Sequence, residues 1–138
     1  MIRVISGGIG TPGSRRASNT FTTSRVFQAY LEPHACVVSV DEDGLVQIWA
    51  SNKAPYNLRD RLAAELSIEK ERIKVHILSV GGDFGGKTSI VDVPICYFLS
   101  ERAGKPVKMV LSFAEELAAA AHRHPSVITL RTGVKQDG

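Results

Sequence analysis

The sequence has few cysteines, few aromatic residues and little excess of charge, and each shortage excludes a class of protein. Two cysteines among 138 residues, without a CxxC spacing, are too few for a disulfide-rich framework, so a reducing, cytoplasmic setting is expected. Aromatic residues make up 7% of the chain and the net charge is +3, which argues against a nucleic-acid partner. No apolar run reaches the ~18–20 residues that a membrane span needs.

The remaining composition is that of a globular protein, with 43% hydrophobic and 22% charged residues. This length suits a single domain with an ordinary core. Residues 1–24 stand apart, because they are rich in glycine and small polar residues and have little periodicity. We predict a loosely ordered N-terminal arm there and one domain over residues 25–138.

The patterning of the domain predicts an α+β fold. Two β-rich runs, residues 36–40 and 45–50, flank an Asp-Gly turn and predict an antiparallel hairpin. Helical periodicity follows, and residues 90–102, which are apolar almost all round, predict a buried helix. Further strands alternate with these helices. We therefore expect a two-layer structure in which two to three helices pack on a mixed sheet.

The most unusual stretch is glycine-rich and spans residues 81–88. It matches GxxxxGK[ST], the phosphate-binding P-loop pattern, with Lys87 and Thr88 in the last two positions. Against this interpretation, Pro94 would interrupt a helix that began at the loop, and Asp83 would place a carboxylate beside the phosphates. A P-loop nucleotide-binding protein nevertheless stays open as an alternative.

The same glycines allow a second interpretation. Without Cβ atoms the main chain can pass close to a ligand, so the amides from Gly82 to Gly86 could contact an oxygen-rich group while Phe84 supplies an apolar wall. A strand-to-helix turn that binds nothing is the simpler alternative.

Five blocks of residues, in this order and spacing, carry a resemblance to a known family. They are Leu-Glu-Pro-His at 31–34, Ile-Trp-Ala-Ser-Asn-Lys-Ala-Pro at 48–55, Val-Gly-Gly-Asp-Phe-Gly-Gly-Lys at 80–87, Ala-Gly-Lys-Pro-Val-Lys at 103–108 and Arg-His-Pro at 123–125. Over residues 25–138 the chain resembles the large, molybdopterin-binding subunit of the molybdenum hydroxylases, namely xanthine dehydrogenase, aldehyde oxidase and carbon monoxide dehydrogenase.

The resemblance implies a two-electron oxidoreductase whose cofactor, molybdopterin with its molybdenum, contacts the glycine-rich loop. It assigns cofactor binding to Gly82, Phe84, Gly85 and Gly86. No catalytic residue and no metal ligand is expected from this chain. The implied partners are the remaining molybdopterin-binding segments or subunits and iron–sulfur and FAD subunits. A homo-oligomer stays open, and so does a non-catalytic interaction module that buries the helix at 90–99.

Departures from the family pattern concern the loop and the length. Thr88 stands where many members have Glu, and Asp83 replaces the third glycine of their GGGFGGK motif. The family's large subunit is several hundred residues long, and its catalytic Glu, near its C-terminus, has no counterpart here. We therefore expect a fragment or split subunit that is inactive and free of cofactor when isolated.

For three charged side chains the sequence favours a position in solvent over a functional role. Lys87 could contact an anion, but the sequence favours extension into solvent. Glu115 and Glu116 are neighbours on a predicted helix and face different directions, so a solvated surface is expected rather than a paired acid–base site.

Overall fold

The computed structural model describes residues 2–5 and 14–135. This part of the chain contains seven strands, three α-helices and a short 3-10 helix at Lys70–Arg72. None of these helices has both the length and the hydropathy needed to cross a bilayer. In chain order the strands and helices are β1 Ile2–Ile5, β2 Ser14–Thr23, β3 Ala35–Val40, β4 Val46–Ala50, α1 Pro55–Leu66, β5 Ile73–His76, α2 Val93–Ala103, β6 Val107–Val110, α3 Phe113–Ala119 and β7 Ser126–Lys135.

Two compact units divide the chain, and the larger, residues 27–122, contains a four-stranded mixed sheet. The strand order is β5-β4-β3-β6, in which β3 pairs antiparallel with β4 and β6, while β4 pairs parallel with β5. The hairpin predicted around the Asp-Gly turn is β3–β4. The α+β prediction, with a mixed sheet and three helices, is confirmed.

The core of this unit lies between the sheet and helices α1 and α2. Alternate residues of β3 and β4 face the helices, as the two-residue period of a strand requires. Leucines spaced four apart on α1 and the N-terminal turn of α2 cover them. The fully buried apolar side chains that meet there are Val38, Val46, Ile48, Leu58, Leu62, Val93 and Cys96.

Helix α2 is buried on one face only, so the prediction of burial all round is wrong. Val93 and Cys96 face the sheet, whereas Ile95, Phe98 and Leu99 are each about half exposed. These side chains are exposed because one sheet can cover only one side of a helix. Within the described residues, no second layer covers the other side of α2.

The smaller unit, residues 1–26 with 123–138, contains a three-stranded antiparallel sheet in the order β1-β2-β7. Strands β1 and β2 lie in the segment predicted as a loosely ordered arm, and residues 1 and 6–13 of that segment lie outside the described residues. Periodicity gave no indication of these strands, because nearly every described side chain of β2 and β7 is partly or fully exposed. The boundary near residue 24 stays a prediction.

Candidate functional site

The glycine-rich loop lies between β5 and α2, and the candidate site around it has two parts. We call Asp83, Phe84 and Gly85 the loop tip. We call the four side chains beneath it the loop base, which consists of Tyr30, Glu32, Lys87 and Glu116. Three separate stretches of sequence contribute these residues, and the larger unit of the fold brings them together.

Lys87 is fully buried in the loop base, so the prediction that it extends into solvent is wrong. Its ammonium forms an ion pair with Glu32, and the same carboxylate oxygen accepts a hydrogen bond of 2.8 Å from the Gly81 amide. Burial by itself raises the pKa of Glu32, but the hydrogen bonds from Lys87 and Gly81 outweigh it and hold that pKa below its usual value. The ion pair therefore ties the start and the end of the loop to one carboxylate.

Tyr30 is the side chain on which the loop rests. A Cβ added at Gly86 would lie 2.5 Å from Tyr30 Cε1, so only glycine allows the main chain to approach the ring this closely. The Lys87 ammonium lies 5.0 Å from the centre of the same ring, within the range of a cation–π contact. No motif in the sequence indicated Tyr30, because its role depends on residues more than fifty positions away.

Glu116 fixes Tyr30 and is itself fully buried, so the prediction of a solvated Glu115–Glu116 pair is wrong for Glu116. It accepts hydrogen bonds from the Tyr30 hydroxyl and, at 2.8 Å, from the His34 amide. Burial raises the pKa of Glu116, but these bonds and the His34 ring outweigh it and lower the pKa. Glu115, by contrast, is exposed and closes a capping box with Ser112 at the start of α3.

The loop tip has an unusual backbone and is open to solvent. Phe84 has a positive φ of 43°, which is rare for a residue with a side chain, and its ring is 75% exposed. Gly85 follows with a φ of 95°, and a Cβ added there would meet nothing within 4 Å. The tip therefore holds an apolar ring beside open space.

Asp83 organises the tip from within. Its carboxylate accepts hydrogen bonds from the amides of Gly85, at 2.8 Å, and Lys87, at 2.6 Å, while its carbonyl accepts from Gly86 at 2.8 Å. Lys53 Nζ lies 2.5 Å from the carboxylate. Burial raises the pKa of Asp83, but Lys53 and the two amides outweigh it, and the pKa falls below its usual value.

These contacts use amides that the sequence predicted to be bare. The Gly82 amide donates to the Val80 carbonyl, and the amides of Gly85 and Gly86 donate to Asp83. The expectation of unbonded amides from Gly82 to Gly86 is therefore wrong for three of the five. Within residues 14–135, the N–H groups of Asp83 and Phe84 donate to no protein acceptor. The assignment of Gly82, Phe84, Gly85 and Gly86 to cofactor binding stays a prediction.

Chemically, the tip suits a group that accepts hydrogen bonds and tolerates an apolar neighbour. Two adjacent free N–H groups, an exposed phenyl ring and the open space at Gly85 fit an oxygen-rich group. A P-loop does not fit, because the Lys87 ammonium is buried against Glu32 and the Lys87 amide is bound to Asp83. Neither group is available to a triphosphate.

Comparisons with known proteins agree on one family. Residues 13–138 match the molybdopterin cofactor-binding domain. The chain is 31% identical over 120 residues to the large molybdopterin subunit of nicotinate dehydrogenase from Eubacterium barkeri, covering 87% of this chain and 28% of that one. It is 32% identical over 112 residues to abscisic-aldehyde oxidase from Arabidopsis thaliana, covering 79% of this chain and 8% of that one.

Solved structures give the same result. The CO dehydrogenase of Oligotropha carboxidovorans superimposes with a TM-score of 0.80 at 26% identity, covering 89% of this chain and 16% of that one. The aldehyde oxidoreductase of Desulfovibrio gigas shares the fold, with a TM-score of 0.84 at 17% identity, over 99% of this chain and 15% of that one.

The fold and the matched residues therefore define a cofactor-binding domain of the molybdenum hydroxylases. The chain belongs to the molybdopterin cofactor-binding domain family, and the cofactor that this family implies is molybdopterin. The chain spans between 8% and 28% of the length of the two curated relatives described above.

Proposed function

We propose that this chain is the loop-bearing part of a molybdenum hydroxylase of the xanthine or aldehyde type, and that its loop tip contacts the cofactor. The observation that carries the proposal is the pair of free N–H groups at Asp83 and Phe84, which lie between the bonded amides of Gly82 and Gly85. Family membership supplies the identity of the group that they would meet.

Each residue of the tip has a defined task in this proposal. The amides of Asp83 and Phe84 donate to an oxygen of the cofactor, and Phe84 shields one side from water. Lys53 neutralises the Asp83 carboxylate, which would otherwise repel an oxygen-rich group. When bound, the molybdenum cofactor supplies the two-electron chemistry that hydroxylates a carbon centre with oxygen from water. Gly82, Gly85 and Gly86, whose amides are already bonded, contribute to cofactor binding by letting the main chain come close rather than by donating.

The proposal includes partners, because the chain spans a small part of its relatives. The remaining molybdopterin-binding segments complete the site, and iron–sulfur and FAD subunits carry the electrons onward. The chain by itself is then inactive and free of cofactor, and a cytoplasmic location fits its two unpaired cysteines.

The first experiment measures cofactor content. The chain is purified from a host that makes molybdenum cofactor, and bound molybdenum and pterin are quantified before and after co-expression with the remaining segments. We expect far less than one equivalent alone and about one equivalent after co-expression. Stoichiometric cofactor in the isolated chain would overturn the fragment proposal, and none after co-expression would overturn the cofactor proposal.

The second experiment tests the donors directly. Molybdate, used as a tetrahedral oxyanion probe, is titrated into ¹⁵N-labelled chain while amide resonances are followed, with chloride at matched ionic strength as the control. We expect the Asp83 and Phe84 amides to shift and those of Gly85 and Gly86 to stay, because the latter remain bonded to Asp83. The reverse pattern, or no shift in any loop amide, would show that the donor assignment is wrong.

A non-catalytic interaction module is the second candidate, and the half-exposed Ile95, Phe98 and Leu99 of α2 favour it. It predicts a stable oligomer on size-exclusion chromatography that Phe98→Asp dissociates. A monomer at all concentrations would contradict self-association through this face.

A further inference from the structure

Next to the C-terminal end of the glycine-rich loop, three side chains form a hydrogen-bonded line that the proposed function does not use. Ser89 Oγ lies 3.2 Å from His34 Nε2, and His34 Nδ1 lies 2.6 Å from Glu116 Oε1. Ser89 comes from the segment between β5 and α2, His34 precedes β3, and Glu116 belongs to α3. The larger unit of the fold thus brings a hydroxyl, an imidazole and a carboxylate together in order.

The proton positions follow from the chemistry of the partners. An ionised carboxylate only accepts hydrogen bonds, so the His34 nitrogen that faces Glu116 must carry the hydrogen. In the neutral ring the other nitrogen, Nε2, then has a lone pair that faces the Ser89 hydroxyl. Glu116 stays ionised, because its hydrogen bonds from His34 and Tyr30 hold its pKa below the usual value despite burial.

The surroundings hold the line in place without fully burying Ser89. His34 and Glu116 are buried, whereas Ser89 is only partly buried. The His34 amide donates to the second oxygen of Glu116 at 2.8 Å, and the Asn52 side chain donates to the Ser89 carbonyl at 3.0 Å. Among residues 14–135, the amide of Ser89 donates to no protein acceptor, so this half-buried residue has a free donor for an oxyanion.

We propose that Ser89 is an activated nucleophile that accepts an acyl or phosphonyl group from an activated ester, with His34 as general base and Glu116 as the positioning residue. With a fluorophosphonate, the Ser89 oxygen forms a bond to phosphorus and the phosphorus–fluorine bond breaks. Fluoride leaves with the bonding electrons, and the hydroxyl proton moves to His34 Nε2. Nothing is oxidised or reduced, and the inference is independent of the cofactor proposal.

The experiment treats the full chain with a fluorophosphonate probe and follows adduct formation by intact mass and peptide mapping. We expect one adduct, at Ser89, that forms at least ~100-fold faster than any adduct at the exposed Ser79. Ser89→Ala should abolish it, and Ser79→Ala, the matched control, should leave it unchanged. Labelling of Ser89 no faster than of Ser79 in the unaltered chain would overturn the proposal without any variant.

Variants of His34 and Glu116 test whether Ser89 reacts because its hydroxyl is activated or only because it is exposed. We expect His34→Gln to slow labelling ~100-fold, since general-base catalysis is lost. Glu116→Gln should also slow it, and Glu116→Asp, which keeps the charge, should restore part of the rate. Circular dichroism checks that each variant is folded. An undiminished rate in folded His34→Gln would overturn the role of the imidazole and with it the proposal.

Discussion

The loop base and the loop tip belong to one site, yet their side chains follow opposite rules. In the base, Lys87 and Glu116 are fully buried and every charge has a partner of opposite sign or a set of hydrogen-bond donors. In the tip, Phe84 is exposed at a strained φ and two amides have no protein acceptor. The difference supports the proposal that the base fixes the geometry of the loop and that the tip contacts the cofactor.

This comparison predicts that damage to the base lowers the free energy of unfolding more than loss of the exposed ring at the tip does. Charges in the base are costly to leave unpaired, because the interior stabilises an ion only through its partner. The Phe84 ring at the tip is already in water, so its removal costs little.

The largest effect is expected from acidification, which acts on several carboxylates together. Glu32 and Glu116 in the base and Asp83 in the tip all have pKa values lowered from their usual 4.5, 4.5 and 3.8. The unfolded chain therefore binds more protons than the folded chain in this range, and the free energy of unfolding falls as pH falls. It should be level above pH ~6 and decline below pH ~5, where the unfolded carboxylates begin to titrate.

Urea unfolding between pH 3 and 7, followed by the fluorescence of the single tryptophan, Trp49, measures this dependence. Asp83→Asn should keep most of the decline, because the base carboxylates remain. A free energy of unfolding that is flat or rises on acidification would contradict the assignment of these carboxylates.

A substantial but smaller loss is expected from Glu32→Gln, which leaves the buried Lys87 ammonium without its anion. We expect the free energy of unfolding to fall by about 3 kcal/mol, the cost of an unpaired buried charge. The double variant Glu32→Gln with Lys87→Met should recover much of that loss, since the orphaned charge is gone.

The matched control for Glu32→Gln is Asp60→Asn, which breaks the exposed pair between Arg59 and Asp60. Its effect should stay below about 1 kcal/mol. Equal losses from the two single variants in urea unfolding would show that the base is no more important than the surface.

The smallest effect is expected at the tip. Phe84→Gly removes an exposed ring and the steric strain that a Cβ has at a positive φ. The free energy of unfolding should therefore rise by up to about 1 kcal/mol. The same variant keeps the amide but loses the apolar wall, so the molybdate-induced shift of the residue 84 amide should persist. A loss of more than about 1 kcal/mol in urea unfolding would mean that Phe84 packs as part of the base.

Local patterns were sufficient for much of the fold. The Asp-Gly turn between β-rich runs predicted the hairpin of β3 and β4, and the helical periodicity that follows predicted α1. Strand β2 was missed because its described side chains are partly or fully exposed, so that backbone pairing with β1 and β7, rather than a buried face, accounts for it.

The site was predictable in place but not in detail. Four glycines around Phe84 marked the loop, and the resemblance named its ligand. Which amides remain free could not be predicted. The Asp83 carboxylate accepts hydrogen bonds from the amides of Gly85 and Lys87 only in the folded conformation of the loop. Ser89, His34 and Glu116 were not grouped either, since 55 and 82 residues separate the bonded pairs.

The sequence by itself therefore determined the α+β class, the family and the position of the glycine-rich loop, because these depend on local periodicity and on residues in a fixed order. Only the tertiary structure decided that Lys87 and Glu116 are buried and that Tyr30 supports the loop. It also decided which two amides of the loop tip stay free. Burial and pairing depend on partners that are distant in the chain, and those partners meet only after the sheet and helices have packed.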